Sequence, residues 1–248
     1  MPAGMLEGRT AFVTGGSGAV GSAIVRVLAR EGCTVAFSYK SHSDEAAALA
    51  GELTSAGAAV TAWPLDILDA AAAEGLAGRV EREVGPIDAL INNAGVAQVM
   101  PFALIEESDW DAVMDVNVKG TFLVTKAFGR GMIRRKAGSI VNMGSLAGMR
   151  VLEVPVHYAT AKAAIVGFTL SLAREVARYN IRVNAVVPGM LESGVSANIP
   201  DKQREEYCRY CTMSRPGKPE EVAELVAFLA SDRSSYINAQ AIFVDGGI

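Results

Sequence analysis

Cysteine and histidine are scarce in this chain, long apolar runs are missing, and neither sign of charge dominates. Each shortage excludes something. Three cysteines, Cys33, Cys208 and Cys211, are too few and too odd in number for a disulfide framework. Cys208-Arg-Tyr-Cys211 has C-x-x-C spacing, but a redox pair would open a helix in a thioredoxin-like unit. A zinc centre needs two further ligands, and the two histidines, His42 and His157, lie in unrelated segments. The pair is read as incidental, and no metal is expected. A formal net charge of −4 gives no sign of nucleic-acid binding. No apolar run reaches the ~18 residues that would span a bilayer. The opening Met1-Pro-Ala-Gly-Met-Leu-Glu has neither the basic start nor the apolar core of a secretion signal, so a cytoplasmic location is expected. Repeats, low-complexity tails and breaks in composition are also missing, so residues 1–248 read as one domain.

What is present is a chain half hydrophobic, enough for a large core, organised around Ser145 to Lys162. Tyr158 and Lys162 are four residues apart on an expected helix from Tyr158 to Ala173. At that spacing they share a face, with Cβ atoms roughly 5–6 Å apart. A free phenol, with a pKa near ~10, is a poor proton donor at neutral pH. A fixed ammonium beside it is expected to lower that value, so the phenol can exchange a proton with an alkoxide or ketone oxygen. Ser145 ends an expected strand, Ser139 to Gly144, and its hydroxyl can hold the same oxygen. By itself a Tyr-x-x-x-Lys pair is more often a packed aromatic and a solvated lysine; the neighbouring features change that balance.

Thr10-Ala-Phe-Val-Thr14 reads as a buried strand. Gly15-Gly-Ser17-Gly18-Ala19-Val20-Gly21 follows, and Val20, Ile24 and Leu28 then recur at helical spacing. Strand, glycine loop and helix in that order upgrade a weak glycine motif to a dinucleotide site, because the loop admits a pyrophosphate to the helix N-terminus. After the second strand, Cys33 to Ser38, stands Tyr39-Lys40-Ser41, with no carboxylate to bind a ribose 2′-hydroxyl. Lys40 and the serine hydroxyls suit a 2′-phosphate, so NADP(H) is favoured over NAD(H). A helix from Ser43 to Ala56, a strand from Ala59 to Trp63, Leu65-Asp66-Ile67, a helix from Asp69 to Val84 and a strand from Asp88 to Asn92 come next. Asn93-Ala94-Gly95 directly follows the last of these. Helical character resumes near Glu106 and carries Asn117 among apolar residues, where its amide must find partners. Lys126, Arg130, Arg134, Arg135 and Lys136 form a basic helix end. Strands at Ile181 to Val187, stopped by Pro188-Gly189, and at Ala241 to Asp245 complete the set, with a helix from Gly217 to Ala230 between them. Residues 190–213 show weak periodicity and read as a substrate lid or a long surface excursion. Seven strands alternating with helices imply an α/β fold: one doubly wound, Rossmann-type domain with a mainly parallel seven-stranded sheet.

In order and spacing, Thr14-Gly15 through Gly21, Asn92-Asn93-Ala94-Gly95, Asn117, Ser145, Tyr158-x-x-x-Lys162, Pro188-Gly189 and Val244-Asp-Gly-Gly247 resemble the short-chain dehydrogenase/reductase family. The resemblance runs from Thr10 to Gly247 and is greatest to 3-oxoacyl-(acyl-carrier-protein) reductases of fatty-acid and polyketide synthesis. It implies that Tyr158 is the general acid and that Ser145 fixes the substrate carbonyl. Lys162 would lower the phenol's pKa and hold ribose hydroxyls, and Asn117 would position a water for reprotonation. The implied cofactor-binding set is Gly15, Ser17, Gly18, Ala19, Val20, Gly21, Tyr39, Lys40, Ser41, Asp66, Ile67, Asn93, Ala94, Gly95, Tyr158, Lys162, Pro188, Gly189, Leu191 and Ser193. Within it Asp66 would meet the adenine and Ser193 the nicotinamide end. Arg134, Lys136 and Arg178 become candidates for docking an acidic acyl carrier protein, and the family is usually tetrameric or dimeric. The loop departs from the family at Ala19, where glycine is usual, and at Gly18, where many NADP-specific members carry arginine. The alternatives are a dehydrogenase of a free small alcohol or ketone and a catalytically idle dinucleotide-binding sensor. Only Ala19 encourages the last, and the intact Ser145, Asn117, Tyr158 and Lys162 oppose it.

Overall fold

The computed structural model describes residues 4–150, 152–195, 199 and 201–248. The seven strands are β1 (Thr10–Val13), β2 (Thr34–Tyr39), β3 (Val60–Pro64), β4 (Ala89–Asn92), β5 (Gly138–Met143), β6 (Ile181–Pro188) and β7 (Ala241–Val244). They lie in the order β3-β2-β1-β4-β5-β6-β7, and every pair is parallel. The chain winds outward from β1 to β3, then returns to lay β4 against the other side of β1. That reversal opens a crevice at the carboxyl ends of β1 and β4, the place where such sheets receive ligands.

Both faces of the sheet are covered, which is why the strands read as short continuous apolar runs. Side chains alternate between the faces. Ala11 and Val13, Val35 and Phe37, and Ala89 and Ile91 join one core; Phe12, Ala36 and Leu90 join the other. The first core is roofed by α1 (Ala19–Arg30), α2 (Ser43–Ser55) and α8 (Pro219–Ala230), the second by α3 (Ala70–Glu83), α5 (Thr121–Arg135) and α6 (Val156–Val176). In the second core the rings of Phe12 and Phe128 stack with centroids 4.1 Å apart.

Two local features depart from the sequence reading. The helix near Glu106 is α4 (Glu107–Met114), which passes through a π-helical segment, Asp115–Gly120, into α5. The stretch 190–213 contains a regular helix, α7 (Asp201–Tyr210). None of its described residues is buried, so it leaves no apolar period in the sequence for a reader to find. No helix among the described residues is long and apolar enough to cross a membrane, and no metal-ligating cluster occurs among them.

Candidate active site

Five strand ends, with α6 and the π-helical segment, deliver the candidate residues. β1 delivers the glycine loop, in which Gly15 has φ +66°. A Cβ at Gly21 would overlap the Gly15 carbonyl oxygen and lie 2.8 Å from Asn93 Nδ2, so the loop folds tightly over the start of α1. The Gly18 N-cap makes no side-chain hydrogen bond. The first N–H groups of α1 therefore meet no capping side chain, which suits an anion. Gly18 has room around it, the nearest atom to an added Cβ being the Gly15 oxygen at 3.5 Å. The Ala19 methyl faces the far side of the cleft, 3.6 Å from where a Cβ on Gly194 would sit.

β4 delivers Asn93, whose Nδ2 donates to the carbonyls of Thr14 (3.0 Å) and Gly15 (3.1 Å). The N–H groups of Asn93 and Ala94 donate back to Thr14 Oγ1 at 2.9 and 3.0 Å. The switch point is thus stitched shut beneath the ligand position, in part by the hydroxyl of Thr14, the residue that opens the glycine motif.

β2 delivers Tyr39, Lys40 and Ser41. Ser38 is buried, which removes its hydroxyl from any phosphate. Lys40 Nζ lies 2.7 Å from Asp66 Oδ2. That lysine and the Leu68 N–H hold the Asp66 carboxyl below its usual range. The cation expected to greet a phosphate is therefore paired with the residue expected to meet the adenine. Ile67, next in sequence, packs against Gly120, where a Cβ would come within 2.5 Å of it.

β5 and α6 deliver the reactive groups. Lys162 is 7% exposed; its Nζ donates to the Met143 carbonyl at 3.0 Å and lies 5.8 Å from the centre of the Tyr158 ring. Burial lowers its pKa to about 8. The Tyr158 phenol is raised by burial and lowered by its hydrogen bond with Ser145. The sequence reading expected the ammonium to lower the phenol's pKa; here burial outweighs the Ser145 hydrogen bond and raises it, and both groups are pushed toward their neutral forms. Ser145 Oγ also accepts from the Ala147 N–H at 3.2 Å. Gly148 ends the following 3-10 turn and fits against α6, with an added Cβ 2.7 Å from the Lys162 carbonyl carbon.

The π-helical segment delivers Asn117, which is fully buried. Its Nδ2 donates to the carbonyls of Val96 (2.8 Å) and Val113 (2.9 Å), while its Oδ1 has no partner. A Cβ on Gly95 would sit 2.6 Å from that oxygen and 3.4 Å from Lys162 Nζ. Only glycine keeps the space between amide oxygen and amine open, and an orphan buried acceptor facing an amine is a natural place for a water.

β6 delivers Pro188 and Gly189. The Gly189 N–H donates to the Val244 carbonyl at 2.9 Å. The Met190 N–H donates to Tyr207 Oη at 3.0 Å, and that hydroxyl donates to the Asp245 carbonyl at 3.2 Å. Leu191 is buried and bridges to Gly217, and Ser193 is half-buried. Arg134, Lys136 and Arg178 lie elsewhere. They flank the starts of β5 and β6, whereas Ser145 follows the end of β5. The six residues of β5 separate the two levels by about 20 Å. Arg134 is paired with Glu81 at 3.1 Å, Lys136 caps α5 in the left-handed conformation, and Arg178 stacks over Tyr179 at 5.0 Å.

The carboxyl ends of five strands and the start of α6 thus gather a hydroxyl, a phenol and a buried amine beside an uncapped helix terminus, a set suited to proton transfer at one oxygen beside a bound dinucleotide. Comparison with known proteins agrees. A family model described as enoyl-(acyl carrier protein) reductase matches residues 16–248. The 3-oxoacyl-(acyl-carrier-protein) reductase FabG of Thermotoga maritima is 38% identical, the match covering 98% of both proteins. A short-chain dehydrogenase/reductase structure from Serratia marcescens superposes with a TM-score of 0.91 at 35% identity, covering 98% of each chain. A gluconate 5-dehydrogenase from Burkholderia cenocepacia, crystallised with NADP and tartrate, superposes at 0.92 and 32% identity, covering 97% of this chain and 95% of its own.

Proposed function

The chain belongs to the short-chain dehydrogenase/reductase family of nicotinamide-dependent alcohol and ketone oxidoreductases, and within it we propose that it reduces a 3-oxoacyl thioester to the 3-hydroxyacyl thioester with NADPH. The observation that carries this reading is the meeting of Ser145, Tyr158 and Lys162. Ser145 Oγ and Tyr158 Oη together hold the ketone oxygen, and Tyr158 donates its proton as that oxygen gains charge. Burial favours the protonated phenol beforehand, so the proton is in place when the substrate arrives. Lys162 then refills the phenol, and Asn117 Oδ1, open across Gly95, holds the water that resupplies the lysine.

A bound nicotinamide dinucleotide supplies the hydride. Its residues here would be the Gly15–Gly21 backbone at the pyrophosphate, Tyr39, Lys40 and Ser41 at the ribose, Asp66 and Ile67 at the adenine, and Asn93 to Gly95. Pro188, Gly189, Leu191 and Ser193 would take the nicotinamide end. Lys40 supports a 2′-phosphate, and the gluconate 5-dehydrogenase with NADP supports the same choice.

The thioester is favoured over a sugar acid by the loop after β4. Its Gly95 end borders Lys162, and it exposes Val96, Val99 and, a turn later, Phe102 and Leu104. Those side chains suit an acyl chain. A free small ketone or alcohol is the second reading, favoured by the distance of Arg134, Lys136 and Arg178 from the site. A dimer or tetramer goes with either reading; Phe122 on α5 and Leu170 on α6, large apolar residues nearly half exposed, support it.

The test is NADPH oxidation with acetoacetyl-CoA, the carrier-bound acetoacetyl group and ethyl acetoacetate in parallel. Turnover of the thioesters well above the free ester is expected. The reverse order would move the assignment to the second reading. Lys136→Glu with Arg178→Glu separates the carriers: a rise in KM confined to the carrier-bound substrate supports docking, and an unchanged KM removes it.

A further inference from the structure

His157 and Gln98 belong to none of the motifs above, yet they meet the catalytic helix beside its reactive tyrosine. His157 immediately precedes Tyr158 and is 0% exposed. Its Nε2 lies 3.2 Å from Gln98 Oε1, and Gln98 Nε2 donates to Asp109 Oδ1 at 2.7 Å. Asp109 is held below the usual carboxyl range, first by Gln98, then by the Glu106 N–H and the nearby His157. It is therefore an ionised acceptor with no proton to give. The Gln98 amide must turn its nitrogen to Asp109 and its oxygen to His157. The imidazole must then carry a proton on Nε2, the nitrogen that faces the Gln98 oxygen. Nδ1 is buried with no hydrogen-bond partner. A buried polar atom without a partner costs stability, which an apolar side chain at 157 would avoid; the histidine is worth that cost only if its Nε2 bond matters.

The three residues come from three separate pieces of the fold. His157 lies in the first turn of α6, Gln98 in the loop after β4, and Asp109 in the first turn of α4. Asp109 Oδ2 accepts from the Glu106 N–H at 3.1 Å, so the far end of the chain is fixed to the start of its own helix. α6 begins without a side-chain cap, so the His157 bond is a tether on the turn that carries Tyr158. The same loop is tied at the Val96 carbonyl by Asn117.

We infer that His157, Gln98 and Asp109 form a positioning chain that sets where the Tyr158 hydroxyl stands relative to Ser145 and the loop after β4. None of the three touches the reacting atoms. The inference rests on the reading of Tyr158 as proton donor. A misplacement of about 1 Å at a reacting group can slow a reaction up to ~10²-fold, so the chain acts on rate rather than on binding.

The experiment is single-turnover reduction of acetoacetyl-CoA by bound NADPH, or of ethyl acetoacetate if only that is reduced, followed at the nicotinamide absorbance. Gln98→Met, which keeps length and removes both bonds, and His157→Leu are expected to slow the hydride step roughly tenfold or more, with KM near the wild-type value and with Tm in His157→Leu no lower than wild type. His157→Gln, whose amide nitrogen takes the place of Nε2, is expected within about threefold of wild type; His157→Asn, which mimics Nδ1, is not. Wild-type rates in Gln98→Met would overturn the inference. So would rate losses that follow a falling Tm across the set, or equal rescue by Asn and Gln. Tyr158→Phe, run alongside, separates the two levels. Full activity there removes the proton-donor reading itself; an inactive Tyr158→Phe beside an intact Gln98→Met removes the positioning chain alone.

Discussion

Lys162 carries an amine into a place that is 7% exposed, and that burial works against the fold while it serves the chemistry. Its pKa falls from 10.5 to about 8, so the folded state binds fewer protons than the unfolded one between those values. Stability therefore carries the full penalty below about pH 8 and regains it as pH rises toward 10.5. Lys162→Met removes the penalty and also the bond to the Met143 carbonyl. It is expected to stabilise the protein by roughly 1–3 kcal/mol at pH 7, with the gain shrinking by pH 10 and turnover lost. Urea melts at the two pH values check this, and a destabilised variant at pH 7 contradicts it. The Lys40–Asp66 pair is exposed and weaker. A 2′-phosphate at Lys40 must compete with a carboxylate already 2.7 Å away. Asp66→Asn is expected to raise the preference for NADPH over NADH by a factor of about two to five, the worth of a surface pair. The ratio of the two Kd values isolates this from any shared adenine contact. An unchanged ratio means Lys40 does not reach the phosphate.

At the scale of elements, the site depends on a 3-10 turn pressed against a long helix. Residues Leu146–Gly148 carry Ser145 onto α6, and Gly148 leaves no room for a side chain between the turn and the Lys162 backbone. Gly148→Ala is expected to cost about 1–3 kcal/mol through overpacking and to lower kcat more than it changes cofactor affinity, because Ser145 moves and the glycine loop does not. Thermal melting with steady-state kinetics reads both; unchanged Tm and kcat would mean the turn is slack. The π-helical segment plays a comparable part for Asn117. Its wider register puts the side chain between the Val96 and Val113 carbonyls, a common use of such segments. Asn117 was legible as a buried amide, but its two carbonyl partners were not. α7 escaped the sequence reading because a helix lying on the surface has no apolar stripe. What fastens the start of that region is the Tyr207 hydroxyl on Met190 and Asp245, contacts made across long sequence separations.

For the whole molecule, a parallel sheet buried on both faces makes its strands easy to read, since each is an unbroken apolar run between turns. All seven strands stand where the sequence placed them to within a residue or two. The glycine loop was legible because its backbone excludes side chains at Gly15 and Gly21. What stayed hidden is tertiary. Lys40 meets Asp66 and Gln98 meets His157, and nothing local to any of the four announces its partner. The depression of the phenol's pKa was also misjudged, because burial is a property of the assembled fold. Topology likewise sets where the basic residues lie: helices that return the chain to the starts of β5 and β6 carry Arg134, Lys136 and Arg178 away from the catalytic end. The central claim concerns one proton. Stopped-flow mixing of NADPH-loaded protein with acetoacetyl-CoA, in wild type and Tyr158→Phe, measures it most directly. A fall in the hydride-transfer rate of about 10²–10⁴-fold is expected, with NADPH affinity preserved. A Tyr158→Phe enzyme that turns over at the wild-type rate would contradict the account.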